Sequence, residues 1–437
     1  MENKFRVSQV FKLVLPTIFM MSFMSLYTIV DGAFVSRFVS TDALSAVNIA
    51  YPYVNFILGL SIMLGSGGCA LVMKKIGEGR SDEAKKDFSL IIVFTLIISI
   101  ILIILSLLSI EYILKILQAK DDLYEYTKNY LFYMIVFATP TMLKFIVEQF
   151  LVAINKSKIA LILSVSGGIL NIVLDYLFIV IFSWGIKGAA IATGLGYAVP
   201  AIIGLMFFIK KSSLLHFKKP SKNIYVILKS CSNGSSEMVS QLSSGIITFL
   251  FNYVMLKYIG EDGVAAITII LYIQYLVTSI FLGYSIGVCP KISFFYGNQD
   301  IPMLKSLISI SLKIVCGISI LSYIIILISS PILVMFFTDP NTNVFNLTID
   351  GLKIYSISFL IVGTLIFISG MFTAFSNGRV SAIISFLRAL VFESTGIVVL
   401  PIMIGISGVW WAVPIARLLG ALVCLYFYKK YKPIYRY

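Results

Sequence analysis

The chain has 437 residues, of which 59% are hydrophobic and only 12% charged, and its mean hydropathy is +0.99. A soluble domain carries about 25% charged residues; a chain this apolar cannot cover itself with polar groups, which excludes a soluble enzyme. The net charge of +14 has no basic domain to hold it, so nucleic acid is excluded as a partner. The five cysteines show no CxxC spacing, and the single histidine, His216, falls in a loop, which excludes a disulfide framework, a zinc HExxH site and a Ser-His-Asp triad.

A membrane-spanning helix needs about 20 largely apolar residues. Twelve such runs follow one another, at about 11–36, 47–73, 88–110, 128–154, 159–182, 187–209, 233–257, 264–290, 305–337, 351–376, 380–402 and 408–428. No small-residue cleavage site follows the first run, so it reads as a span rather than a removed signal. The fold class expected is therefore an all-α polytopic membrane protein. Between the spans, 23 Lys and Arg fall on the side of the N-terminus and 7 on the other. Lys4, Lys120 and Lys211 are among them. This bias predicts that both termini lie in the cytoplasm, with the protein in the plasma membrane. Lys144, Lys313, Arg388 and Arg417 stay inside spans, where a basic side chain either snorkels or pairs facing a cavity.

A shift of 220 residues superposes the halves. Asp42, Ala46, Ile49, Gly67, Cys69, Gly77 and Lys85 fall on Asp262, Ala266, Ile269, Gly287, Cys289, Gly297 and Lys305, and Gly185-Ile186-Lys187-Gly188 falls on Gly405-Ile406-Ser407-Gly408. Two six-span halves of equal orientation make parallel repeats, related by an axis along the membrane normal, a plan common in transporters. The division expected is a first lobe over 1–209, a basic linker over 210–232 and a second lobe over 233–437.

Five acids fall inside spans: Asp31, Glu148, Asp175, Glu237 and Glu393. A charge near the bilayer centre costs about 2.5–3.5 kcal/mol on insertion scales, so such residues are candidates for function. In the first span Pro16 is placed to kink the helix. Phe19, Met20, Phe23, Met24 and Tyr27 follow at roughly helical spacing as a soft, aromatic stripe suited to varied apolar ligands, which ordinary bundle packing also explains. Asp31, Asp175 and Thr193 all sit roughly 8–10 Å below the outer surface at 1.5 Å per residue, and Asn171 precedes Asp175 by one helical turn. These four can converge. Two carboxylates, an amide and a hydroxyl suit a hard cation such as Na⁺; equally, two close carboxylates repel, and a proton held between them relieves it. Their second-half counterparts are Phe251, Val391 or Phe392, Thr395 or Gly396, and Val413, so the site is expected in the first half only. Glu148, beside Gln149, is placed near the inner mouth. Glu237 is shallow on the inner side. Glu393 lies at mid-depth five residues after Arg388, placed for an ion pair or a cavity wall.

Leu15-Pro16, Leu26-Tyr27-Thr28-Ile29-Val30-Asp31, Ala43-Leu44-Ser45-Ala46-Val47, Asn171-Ile172-Val173-Leu174-Asp175, the run Gly185 to Thr193, Gly234-Ser235-Ser236-Glu237 and Gly408-Val409-Trp410 together resemble the MATE (multidrug and toxic compound extrusion) family, nearest its MepA/DinF-like members. The resemblance covers essentially the whole chain. It implies a V-shaped, two-lobed antiporter, not an enzyme and without a cofactor, that expels amphipathic organic cations against H⁺ or Na⁺ and acts as a monomer in lipid. It also implies that Asp31, Asn171, Asp175 and Thr193 hold the coupling cation and that bending at Pro16 couples this to drug release. Tyr27, Met24, Phe23, Met20, Glu148, Gln149 and Glu393 are the expected substrate cavity. NorM-like members place an acid deeper in the seventh span, where this chain has Gln241 and Ser243. Two other readings are a flippase for lipid-linked precursors, whose members usually carry more spans and a cationic cavity, and an intramembrane aspartyl enzyme, for which Asp31-Gly32 lacks the Gly-x-Gly-Asp context.

Overall fold

A computed structural model describes residues 5–119, 122–210 and 214–437; Lys4, Lys120 and Lys211 lie outside them. All regular structure among the described residues is helical. The helices are α1 (Val7–Phe38), α2 (Thr41–Gly77), α3 (Ser81–Leu108), α4 (Ile110–Ile116), α5 (Asp122–Val136), α6 (Ala138–Ala153), α7 (Ser157–Asp175), α8 (Gly185–Phe207), α9 (Ile224–Tyr258), α10 (Glu261–Gly297), α11 (Ile301–Met335), α12 (Asn343–Tyr355), α13 (Phe359–Ala374), α14 (Gly378–Ser385), α15 (Glu393–Ile404) and α16 (Ile406–Tyr435). Among the described residues, eleven continuous stretches are long and apolar enough to cross a membrane. A twelfth is the pair α5–α6, bent by 54° at its break. Pro140 explains the bend: it stands in the first turn of α6, where its missing N–H costs nothing, and it cannot bond back to Val136.

Lipid, not water, sets which side chains face outward. On α3 Thr95 and Ser99 are fully buried, whereas Ile104 is 53% and Leu108 81% exposed. Thr95 bonds the carbonyl of Ile91 at 2.8 Å, and Ser99 meets Thr139 at 2.8 Å. The small polar residues close helix contacts, and the branched apolar ones face hydrocarbon. Polar caps start several spans: Ser40 accepts from Ala43, Asp300 from Met303 and Thr342 from Phe345, each satisfying an N–H that the helix leaves free.

The repeat is visible in three dimensions. Gly185 and Gly405 both take a left-handed backbone, at φ +57° and +64°, which an L side chain resists by roughly 1–2 kcal/mol. Across the halves, α2 packs on α9 and α10, and α1 packs on α10. A Cβ at Gly77 would stand 2.1 Å from the Phe294 carbonyl oxygen, and one at Gly297 would stand 2.1 Å from that of Lys74. These two contacts exchange under the same 220-residue shift, as expected for a two-fold axis running between α2 and α10. They lie at the C-terminal ends of both helices, so the halves close on each other at that end. The linker is docked rather than spanning free: Leu215 is buried, Phe217 stacks on Phe88, and Lys218 reaches Asp82 at 2.8 Å.

Candidate functional site

The site forms where α7, α8 and α1 meet. α7 and α8 cross closely because a Cβ at Gly167 would fall 2.5 Å from the Gly196 carbonyl oxygen. That approach sets the α7 face carrying Asn171 against the α8 face carrying Thr193, and the Asn171 amide donates to the Thr193 hydroxyl at 3.4 Å. Asp175 ends α7, fully buried, and the next six residues, Tyr176–Ile181, form a π-helical turn. Such widened turns interrupt the regular bonding ladder and recur at functional sites. From α1, the carboxyl of Asp31 faces Asp175 and Asn171. The four residues placed at one depth by sequence therefore meet.

Their oxygens are under-used. Asp31 Oδ1, Asn171 Oδ1 and both carboxyl oxygens of Asp175 are buried without a hydrogen-bond partner. Buried polar groups are nearly always paired, because leaving one unpaired costs about 1–3 kcal/mol. Four orphaned acceptors in one place form a donor set that fits a proton or a small hard cation.

A small cavity beside this set is walled by Tyr27, Lys144, Ser164, Gly167, Gly168, Asn171, Thr193, Gly196 and Tyr197. Tyr27 donates to the Tyr197 hydroxyl at 2.8 Å. Of the sequence-derived stripe, Tyr27 lines the cavity, Phe23 stacks on Tyr27 and lies against Gly168, and Met24 touches Lys144. Met20 is instead part of the first half's apolar core. Glu148 is buried and paired with Lys144 at 3.1 Å. Gln149 turns its amide to Gly65 of α2, as expected for a neighbour about 100° further round the helix. Pro16 is buried, and α1 continues through it unbroken.

Glu393 lies elsewhere, in the second half, and its partner is Arg417 rather than Arg388. Arg417 Nε is 3.8 Å from Glu393 Oε1, and the guanidinium also donates to Ser358 Oγ at 3.0 Å and Gln274 Oε1 at 2.8 Å. A five-residue separation does not place two side chains on one helix face; Arg388, within the π-helical turn Phe386–Phe392, reaches Ser240 of α9. Phe251 and Val413, the counterparts of Asp31 and Thr193, are fully buried in apolar core.

Sequence reading missed Tyr197 and Ser164 as cavity residues; Lys144, expected to snorkel or to form a cavity-facing pair, forms the pair. A signal existed for each: Tyr197 follows Thr193 by one turn, Lys144 precedes Glu148 by one turn, and Ser164 precedes Asn171 by two.

The family model MatE matches residues 16–177 and again 237–397. The chain belongs to the MatE family. The two matched stretches correspond to the two halves of the repeat. Among curated relatives, the multidrug export protein MepA of Staphylococcus saprophyticus is 24% identical over 410 residues, covering 92% of this chain and 88% of that protein; MepA of Staphylococcus aureus reaches 26% over 418 residues, with the same coverage. Among solved structures, a MATE in complex with MaL6 superposes with a TM-score of 0.93 at 23% identity, covering 98% of this chain and 96% of that one. This MatE chain is thus a multi-pass membrane protein with the family's two-lobed helical fold.

Proposed function

We propose that this MatE protein is a secondary active exporter of amphipathic organic cations, in antiport with H⁺ or Na⁺. The observation that carries the reading is the cluster of orphaned oxygens on Asp31, Asn171 and Asp175, with Thr193 beside them and an aromatic cavity on one side. Two facing carboxylates bind one cation well and two poorly, so occupancy by the coupling ion and by a cationic substrate nearby oppose each other through charge. An exporter needs that opposition: the ion entering from outside favours substrate release, and substrate from inside favours ion release. Pro16, three turns before Tyr27, is the hinge in this scheme, because the missing N–H leaves the helix ladder weaker there. Relatives named as multidrug export proteins, covered over most of their length, support export of drugs. The flippase reading called for more spans than the twelve counted among the described residues; the aspartyl-enzyme reading has the facing pair Asp31 and Asp175, but Asp31-Gly32 lacks the Gly-x-Gly-Asp context.

The test is dye export from proteoliposomes under an imposed pH gradient or an imposed Na⁺ gradient. Export is expected to follow one of them, which identifies the ion. Export under neither would overturn antiport.

A further inference from the structure

Lys144 is not explained by the coupling site. It sits on α6 with 3% exposure, deep in the first half. Its ammonium has three donors, but only one strong acceptor is in reach, Glu148 Oε2 at 3.1 Å. The rest of its shell is soft. The ring of Phe145 is 4.2 Å away, that of Tyr197 5.5 Å, and the thioether of Met24 3.4 Å. A carboxylate, two aromatic faces and a sulfur are the set that recognises an organic cation. A lysine ammonium, compact and strongly hydrated, fits such a shell less well than a delocalised cation does.

The carboxyl of Glu148 also faces the hydroxyl of Ser164, a donor that lines the cavity. Lys144 is itself a wall of that cavity, with Asn171 and Thr193, so a resident cation held by one carboxylate and a soft shell borders the space.

We propose that Lys144 is a tethered cation that occupies an organic-cation subsite at the wall of the cavity, so that an incoming substrate cation must displace it from Glu148 and the Tyr197–Phe145 cage. Lys144 is then a specificity-determining residue: it raises the threshold for permanent cations and admits those able to take both the carboxylate and the aromatic faces. The proposal rests on the reading of the chain as an exporter of organic cations.

The test uses equilibrium binding to the full-length purified protein, with no gradient. The probes are tetraphenylphosphonium and tetraphenylborate, nearly equal in shape and opposite in charge. The ratio of their affinities is expected to shift toward the cation by about tenfold or more in Lys144→Met, as removal of a like charge a few ångströms away requires. Lys144→Arg keeps the charge and is expected to leave the ratio near wild type. Lys144→Met strands Glu148, so Lys144→Met with Glu148→Gln is measured as well. That double variant leaves the net charge unaltered and still empties the cage, and a smaller shift of the same sign is expected. An unchanged ratio in both methionine variants, or an equal shift in Lys144→Arg, would overturn the proposal. A Lys144-dependent ratio without gradient-driven export would sink the export reading alone; export with a Lys144-independent ratio would sink only this one.

Discussion

Asp31 is where charge, depth and orphaned bonding coincide. Its carboxyl faces Asp175 in a pocket that lacks enough donors for both. Asp31→Asn keeps the shape and removes the charge. It is expected to abolish gradient-driven export while leaving folded protein in the membrane, checked by dye export and by monodisperse elution in detergent. Wild-type export in that variant would detach Asp31 from coupling. Arg417 is the contrasting case, a buried charge with its partners in place. Arg417→Met would strip Glu393, Ser358 and Gln274 of a shared donor. Removing one member of a buried pair costs about 3–5 kcal/mol, so thermal unfolding in detergent should fall by several degrees. Asp31 and Arg417 were both visible in the sequence as charges inside apolar runs. Which one was paired was not, because Arg417 meets Glu393 across two helices and Gln274 comes from a third.

Helices position these side chains through close crossings and interrupted ladders. At the α7–α8 crossing, a Cβ on Gly196 would stand 3.0 Å from both the Asn171 Cβ and the Gly167 carbonyl oxygen. Gly196→Val is expected to push the helices apart at a cost of about 1–3 kcal/mol and to separate Asn171 from Thr193; thermal unfolding and dye export should both decline. On α1, Pro16→Ala restores an N–H to the helix ladder. If α1 bends in the transport cycle, the stiffer helix slows export without loss of thermal stability; unchanged rates would remove Pro16 from the mechanism. The fifth span of each half carries a π-helical turn next to a buried acid, after Asp175 in one and before Glu393 in the other. No periodicity in the sequence signalled either turn, since a π turn depends on local backbone bonding and not on an apolar pattern.

In the whole molecule, the halves meet at the C-terminal ends of α2 and α10, where Gly77 lies against Phe294 and Gly297 against Lys74. Gly297→Val is expected to part the halves there, at about 1–3 kcal/mol. A cysteine placed at Ser230, fully buried in α9, reports it: in a background without the five native cysteines, its reaction with a water-soluble thiol reagent should quicken in Gly297→Val. An equal rate would mean that this contact does not hold the halves together.

Legible along the chain were the membrane class, the spans, the repeat and the four residues that the structure brings together. Each follows from one-dimensional quantities: the length of apolar runs, a fixed offset, and depth at 1.5 Å per residue. Even the Lys144–Glu148 pair is a one-turn spacing on a single helix. Packing settled what rotation about a helix axis and contact between distant helices control. It turned Gln149 toward Gly65, left Met20 in the core, gave Glu393 to Arg417 and set Tyr197 against Tyr27 in the cavity. Depth is set by counting residues, but partnership is set by packing, which no count along the chain contains.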